Sequence, residues 1–317
     1  MDKIKILYFT QNWTNYVDKT KLLFKQTLNL RPDVEVYYIE KGGDISAILA
    51  ELDFQPDFIY NDDFMLNRLK FGPIRGLNNI EIPSGVMFYD IRKMRNKFYR
   101  YVVHNRIDLT FACYRDRFLT KYPNLTDRFR WLPLFVDTKY FKDLEIERVN
   151  DFLLLGDITP KVYPIRFKIL QTMLNEPGFV YHRHPGYRHF DDQEHGNLII
   201  GENYVKELNK SKMFLTCGSR YNYVLGKYFE VPACNTLLLA TGSKEHQDLG
   251  FIDGETFVEI NENNFREKAA YYLKNEDERL AIAKKGNDMI RNKHSVEIRV
   301  DQFVNYIRDY LQKGLKI

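Results

Sequence analysis

MFLTCGSRYNYVLGKYFEVPACNTLLLAT, residues 213–241, is the stretch that decides the fold. MFLTCG (213–218) and TLLLAT (236–241) are short, continuous apolar runs, the mark of strands buried on both faces of a parallel sheet. Between them lie a polar loop, SRYNY, and the segment YVLGKYFEVPA (223–233), whose apolar spacing predicts a helix. Strand, polar loop, helix and strand form the repeating unit of an α/β fold, which binds ligands outside the carboxyl ends of its strands. A loop of small and hydroxyl residues entering a helix also suits an anion, because unpaired N–H groups and the helix dipole face one point. Lys227 and Glu230 stand three apart on that helix. One reading makes them a solvated surface pair of little energetic weight. The other gives the cation to a diphosphate and the carboxylate to two ribose hydroxyls.

The same alternation runs through the rest of the chain. DFLLLGD (151–157), GFVYHRH (178–184) and TFVEI (256–260) read as further strands of the second half, and YPIRFKILQTML (163–174) as a helix. FREKAAYYLKN (265–275), EDERLAIAKKGNDMIRNK (276–293) and SVEIRVDQFVNYIRDYLQK (295–313) carry the spacing of closing helices. In the first half, strands are expected at IKILYFT (4–10), VEVYYIE (34–40), DFIYND (57–62), GVMFYD (85–90), LTFAC (109–113) and FRWLPLFVD (129–137). Helices are expected at 17–28, at ISAILAEL (45–52) and at the basic RKMRNKFYRYVVHN (92–105). The polar segment DTKYFKDLEIERVN (137–150) separates the halves. The pattern predicts two α/β domains in series with a ligand cleft between them.

Bulk properties narrow the function. The length of 317 residues suits two domains, and the net charge of +4 suits an anionic small ligand or loose contact with an anionic surface. It is too small an excess to mark a nucleic-acid binder. Cys113, Cys217 and Cys234 are far apart and form no CxxC pair, which points to a reducing, cytoplasmic setting without structural zinc. The opening MDKIKILYFTQNW reads as a strand rather than a signal peptide, and no window is apolar enough for a membrane span. The aromatic content, 22 Tyr and 23 Phe, fits either a ring-lined cleft or thick cores.

Four segments in order resemble those of GT-B-type nucleotide-sugar glycosyltransferases, nearest to the CgeB-like group. KYFEVPACNTLLLAT resembles a basic-x-Phe-Glu-x-x-Ala-Cys-Gly pattern, and GDITPKVYPIRFKIL a glycine-containing strand–loop–Arg segment. LGFIDGETFVEI with YYLKNEDERLAIAKKGNDMIRNKHS resembles the family's closing segment, and RWLPLFVDTKYF its interdomain segment. The resemblance implies two Rossmann-like domains facing a central cleft: an acceptor domain at 1–145 and a nucleotide-sugar donor domain at 146–297. Residues 298–317 would form a helix packing back on the first domain. It also implies a metal-independent, hexosyltransferase-type transfer of a sugar from a nucleoside diphosphate such as UDP. No cofactor beyond that donor is implied, and the acceptor (glycan, protein or lipid-linked) stays unidentified.

By position, Lys227 would hold phosphate and Glu230 the ribose, with Ser219, Tyr221 and Asn222 of the SRYNY loop beside them. Gly156, Thr159 and Arg166 either line the donor phosphates or form an ordinary strand-to-helix turn. In HRHPGYRH (182–189), His184 would stabilise the leaving diphosphate, protonated or as an N–H donor, beside Arg183; the alternative is a loop histidine capping a strand. Arg188 is either a further phosphate contact or a surface residue. His182, His184, Asp191 and Asp192 match no metal-ligand spacing. The family usually has Gly where this chain has Asn235, which predicts a left-handed asparagine. It has Glu where this chain has Asn222.

In the first half, Asp90 is the candidate base for an inverting reaction, or else a helix N-cap, and a retaining reaction needs no base. Asp62, Asp63, Asn12 and Trp13 are expected on the acceptor side. Arg92, Lys93, Arg95, Lys97 and Arg100 form a solvated helix face or a docking face for an anionic membrane. Two rival functions are a nucleotide- or sugar-binding GT-B module without catalysis and a CDP-alditol phosphate transferase.

Overall fold

The computed structural model describes residues 3–65, 72–91, 95–191, 194 and 198–314. The chain divides into two compact units. One comprises residues 1–14, 21–133 and 297–317, the other 15–20 and 134–296.

The first unit is built on a six-stranded parallel sheet in the order β2-β1-β4-β6-β7-β8. Its strands are β1 (Ile4–Phe9), β2 (Val34–Ile39), β4 (Phe58–Asn61), β6 (Ser84–Met87), β7 (Leu109–Ala112) and β8 (Phe129–Trp131), while β3 (Gly43–Asp44) and β5 (Ile74–Arg75) pair separately. Helices α1 (Thr20–Asn29), α2 (Ile45–Ala50), α3 (Arg95–His104) and α4 (Arg115–Lys121) connect them. The central strands are apolar on both faces because helices cover both. Leu7, Phe9, Ile59, Val86, Phe88 and Phe98 are buried in one cluster.

β1, β4 and β6 are neighbours and run parallel, so Thr10, Asp62 and the Phe88–Asp90 segment all emerge at one edge of the sheet. β6 ends at Met87, short of the expected Asp90, and α1 begins at Thr20 rather than Val17. Residues 15–20 belong instead to the second unit, where Val17 N–H donates to Arg188 O and Phe190 N–H to Asn15 O. The strand expected over 129–137 stops at Trp131, ahead of Pro133, which cannot donate to a ladder.

The second unit is a five-stranded parallel sheet, β10-β9-β11-β12-β13. Its strands are β9 (Asn150–Leu155), β10 (Phe179–His182), β11 (Ser211–Leu215), β12 (Leu237–Ala240) and β13 (Val258–Glu259). Its helices are α5 (Pro164–Met173), α6 (Gly201–Asn209), α7 (Lys227–Ala233), α8 (Lys244–Asp248), α9 (Phe265–Lys274) and α10 (Glu276–Lys293). Leu154, Ile169, Met213, Leu215, Leu237, Leu239 and Ile282 are buried in its core.

The helix expected over 223–233 is shorter than its spacing implies. Ser219 (φ 66°) and Asn222 (φ 54°) turn the chain left-handed, Tyr223 N–H bonds Gly218 O, and α7 begins only at Lys227. Its exit is as expected: Asn235 is left-handed (φ 55°) and its Nδ2 donates to Asp143 Oδ2. Arg148 fixes the same turn, donating to Ser211 O, Thr236 Oγ1, Cys234 O and Asn235 O.

Helix α11 (Val296–Gly314) closes the chain, and from Glu297 onward it belongs to the first unit. Phe303 packs its ring on Phe24, Tyr60 and Phe111, and Gln302 and Tyr306 both donate to Trp131 O. Among the described residues no helix is long and apolar enough to cross a membrane. Arg92, Lys93 and Asp192 lie outside the described residues. On α3, Lys97 and Arg100 are exposed beside Tyr99.

Candidate functional site

In the second unit the loops that follow β9, β10 and β11 bring basic groups to one place. Gly156 leaves β9 with φ +133°, a conformation that L side chains avoid. A Cβ there would lie 3.1 Å from Arg166 Nη1 and 3.3 Å from Lys227 Cε, so both cations close over that glycine. Arg166 is buried, at 3% exposure. Its Nε donates to Thr216 Oγ1 at 2.8 Å and its Nη2 to Cys217 O, tying α5 to the end of β11. Its guanidinium stacks 4.1 Å from the Tyr163 ring.

Lys227, at the start of α7, points its Nζ at the Tyr204 ring, 5.0 Å from the centroid. Burial depresses its ammonium to about 8, with Glu230 opposing and Arg166 reinforcing the shift. Glu230 shifts the other way. Burial raises its carboxyl, while Lys227 and the Tyr204 hydroxyl, 2.7 Å from Oε2, hold the rise back. The other carboxylate oxygen occupies the space over Gly226, where a Cβ would come within 3.0 Å of Oε1. Lys227 and Glu230 thus both stand against Tyr204, not on a solvated helix face.

His184 belongs to the same electrostatic cluster. Burial, followed by Lys227, lowers it to about 4, and Arg166 acts in the same direction against Asp157 and Asp18. The imidazole is therefore neutral near pH 7. Gly186 N–H donates to Nδ1 at 2.9 Å, which leaves Nε2 as the N–H donor. Of the two forms the sequence allowed, the N–H donor is the one this environment holds. The Tyr187 ring lies 4.5 Å from that of His184.

The remaining expected residues line the loops around this centre. Asp157 Oδ1 accepts from Thr159 N–H and its hydroxyl. Ser219 is nearly buried and its Oγ accepts from Tyr221 N–H. Tyr221 stacks on Tyr223, and Arg220 N–H donates to Val162 O, joining the SRYNY loop to the loop after β9. Asn222 and Arg183 are exposed. Arg188 is engaged by Glu194 at 3.0 Å and lies over the Phe190 ring, so its surface reading holds. The three histidines of 182–189 have separate partners: His182 pairs with Glu207 at 3.0 Å, His184 accepts from Gly186, and His189 packs on Tyr16. Among the described residues no three His, Cys, Asp or Glu side chains are grouped as metal ligands would be.

Sequence reasoning missed Tyr204, Asp18, Tyr163 and Thr216. Tyr204 and Thr216 lie on elements distant in the chain from Glu230 and Arg166, which they touch, Asp18 acts on the site only through its charge, and none of the four interrupts a pattern of spacing or composition.

The first unit gathers carboxylates at its strand ends. Asp62 is buried, at 1% exposure, and its Oδ2 accepts from the Thr10 hydroxyl at 2.5 Å and from Trp13 Nε1 at 3.2 Å. Its Oδ1 is buried and has no hydrogen-bond partner among the described residues. Burial raises this carboxyl to about 6, and Lys21 is the main group holding the rise back. Asp63 binds Lys21 Nζ at 2.7 Å, and that ammonium lies 4.0 Å from the Trp13 ring and 4.7 Å from that of Tyr89. Asn12 is exposed, its Oδ1 accepting from Thr14 N–H. Asp90 is half-buried just past β6. Of the expected carboxylates, Asp62 has the more distinctive environment.

Residues 153–305 match the family model described as "Glycosyl transferase-like". No curated protein matches the sequence. Among solved structures, the chain is similar to sucrose-phosphate synthase from Thermosynechococcus elongatus, at 11% identity and TM-score 0.70, covering 98% of this chain and 100% of that one. HepE of Anabaena, solved in complex with UDP and glucose, is similar at 10% identity and TM-score 0.62, covering 96% and 100%. A glycosyltransferase from Rickettsia africae is similar at 10% identity and TM-score 0.62, covering 98% and 99%. The match is to the family at large and does not single out the CgeB-like group. Residues 153–305 are thus similar to the glycosyl transferase-like family, and the chain has the GT-B glycosyltransferase fold.

Proposed function

We propose that the protein transfers a sugar from a nucleoside-diphosphate donor, without a metal ion, to a hydroxyl-bearing acceptor, and that the second unit holds the donor. One observation carries this reading: Arg166 and Lys227 close over Gly156 while Glu230, one helical turn from Lys227, is braced by Tyr204. Two cations and an N–H-donating His184 suit a diphosphate. A half-buried carboxylate suits the hydroxyls of a ribose. As the diphosphate leaves with the electron pair of the broken anomeric C–O bond, Arg166, Lys227 and His184 Nε2–H would stabilise its growing charge. UDP is the first donor nucleotide to try, because the similar HepE was solved with UDP and glucose. We assign the acceptor to the first unit, with Asp62, Asp63, Asn12, Trp13 and Asp90 as candidates to contact it.

The test is thermal stabilisation by UDP, GDP, CDP, ADP and TDP, each with and without EDTA, followed by product analysis with the matching sugar conjugate. We expect one nucleotide to raise the melting temperature regardless of EDTA. Release of nucleoside diphosphate supports sugar transfer, and release of CMP from a CDP-alditol would favour the phosphate-transferase alternative. Absence of stabilisation by all five contradicts the donor-site assignment.

A further inference from the structure

Helix α6 carries none of the residues expected at the donor site, yet two of its side chains brace that site. Tyr204 donates its hydroxyl to Glu230 Oε2 at 2.7 Å, and its ring lies 5.0 Å from Lys227 Nζ. Phe141 packs edge-on against the ring at 5.9 Å and fixes its plane. One turn along the helix, Glu207 pairs with His182 at 3.0 Å and accepts from Asn150 Nδ2. The His182 carbonyl in turn accepts the N–H of Gly156. The helix therefore holds the carboxylate and ammonium of α7 through Tyr204, and the loop after β9 through Glu207.

We infer that Tyr204 is a positioning residue of the donor site, fixing the ribose-accepting carboxylate of Glu230 and the phosphate-facing ammonium of Lys227 relative to each other. This rests on the donor-site reading above. The hydroxyl occupies Oε2 and leaves Oε1 to accept from a ligand. A carboxylate held by one neutral donor keeps both its orientation and its charge as ligand water is expelled. Without that donor, Glu230 loses an interaction with its ionised form and takes up a proton at higher pH. The titratable groups facing Glu230 are Lys227 on its own helix, Tyr204 on α6, Asp18 of the 15–20 segment, Tyr187, and Cys234 at the end of α7. Of these, Tyr204 alone has a hydrogen bond to it among the described residues.

Tyr204→Phe removes the hydroxyl and keeps the ring against Lys227 and Phe141. The experiment is calorimetric titration of wild type and variant between pH 5 and 8. The ligands are the tightest-binding nucleoside diphosphate of the five above and inorganic pyrophosphate, with melting temperature as a control for folding. We expect the variant to bind the nucleoside diphosphate about tenfold more weakly at pH 7. Its pyrophosphate affinity should change less than twofold, and the acid limb of its nucleotide-binding profile should lie at higher pH than in wild type. Equal nucleotide affinity and an unmoved acid limb overturn the assignment of Tyr204. A matching loss for both ligands overturns it too, since the role would then be general to the fold of the site. If wild type binds none of the five nucleotides, the donor-site reading falls and this inference with it, a result distinct from equal binding by the two proteins.

Discussion

The two units place polar groups at the same topological position, the carboxyl edge of a parallel sheet, and give them opposite character. In the second unit Arg166 and Lys227 close over Gly156, Glu230 interacts with the lysine, and burial lowers that lysine. In the first unit Asp62 and Asp63 share one ammonium, Lys21, and burial raises Asp62. Desolvation acts on both, always against the charged form. The side chains carried at the strand ends and on the helices that follow decide which charge predominates at each edge. The basic edge suits an anion. The acidic edge, where Asp62 Oδ1 has no partner among the described residues, suits a donor such as a hydroxyl.

Substitutions that disturb one edge and spare the other sharpen this contrast. The largest effect is expected from Arg166→Met, which leaves the Thr216 hydroxyl and the Cys217 carbonyl without their buried donor. Chemical denaturation should show a loss of about 2–4 kcal/mol, together with loss of diphosphate binding. An effect within experimental error would show that the guanidinium neither supports nor serves the basic edge.

Next comes the pH dependence of anion binding. Lys227 is charged below about 8 and neutral above it. Diphosphate affinity should therefore be steady near pH 7 and fall above pH 8 by up to about tenfold per pH unit. Lys227→Met should bind more weakly at pH 7 and lack that slope, and titration calorimetry at stepped pH measures both.

A smaller effect is expected from Asp62→Asn. The folded protein holds the Asp62 proton up to about pH 6, above the usual carboxylate range, so this group contributes stability below that range that is lost as pH rises through 6. Asp62→Asn should flatten stability between pH 4 and 7 by on the order of 1 kcal/mol and leave nucleotide binding unchanged. A change in nucleotide affinity would break the separation of the two edges. The smallest effect belongs to Asn235→Gly. Its left-handed backbone suits glycine, so losing the bond to Asp143 should cost less than about 1 kcal/mol, whereas Asn235→Ala should cost more.

Much of the architecture is legible in the sequence because buried parallel strands and amphipathic helices leave periodic traces. The strands around 4–9, 58–61, 150–155 and 237–240 and the helix over 276–293 stand where their spacing puts them. Asn235 was readable too, since a small polar residue at a helix exit commonly adopts the left-handed conformation. The onset of α7 was not, because Tyr223, Val224 and Leu225 continue an apolar pattern while the Ser219 and Asn222 backbones bend the chain away from a helix. Candidate residues on one segment, such as Lys227 and Glu230, could be listed from sequence. Their brace could not: Tyr204 lies 26 positions from Glu230, and spacing along a chain says nothing about which helix a sheet will carry next to it. The charge state of His184 depends in the same way on Lys227 and Arg166, which only the fold brings near.

The most direct test of the basic edge as a nucleotide site is a paired titration of wild type, Glu230→Gln and Lys227→Met with a nucleoside diphosphate and with pyrophosphate. The account predicts that pyrophosphate displaces the nucleotide from wild type and that Lys227→Met weakens both ligands. It predicts that Glu230→Gln weakens the nucleotide alone, by about 1–3 kcal/mol. Unchanged affinity for both ligands in both variants would contradict it.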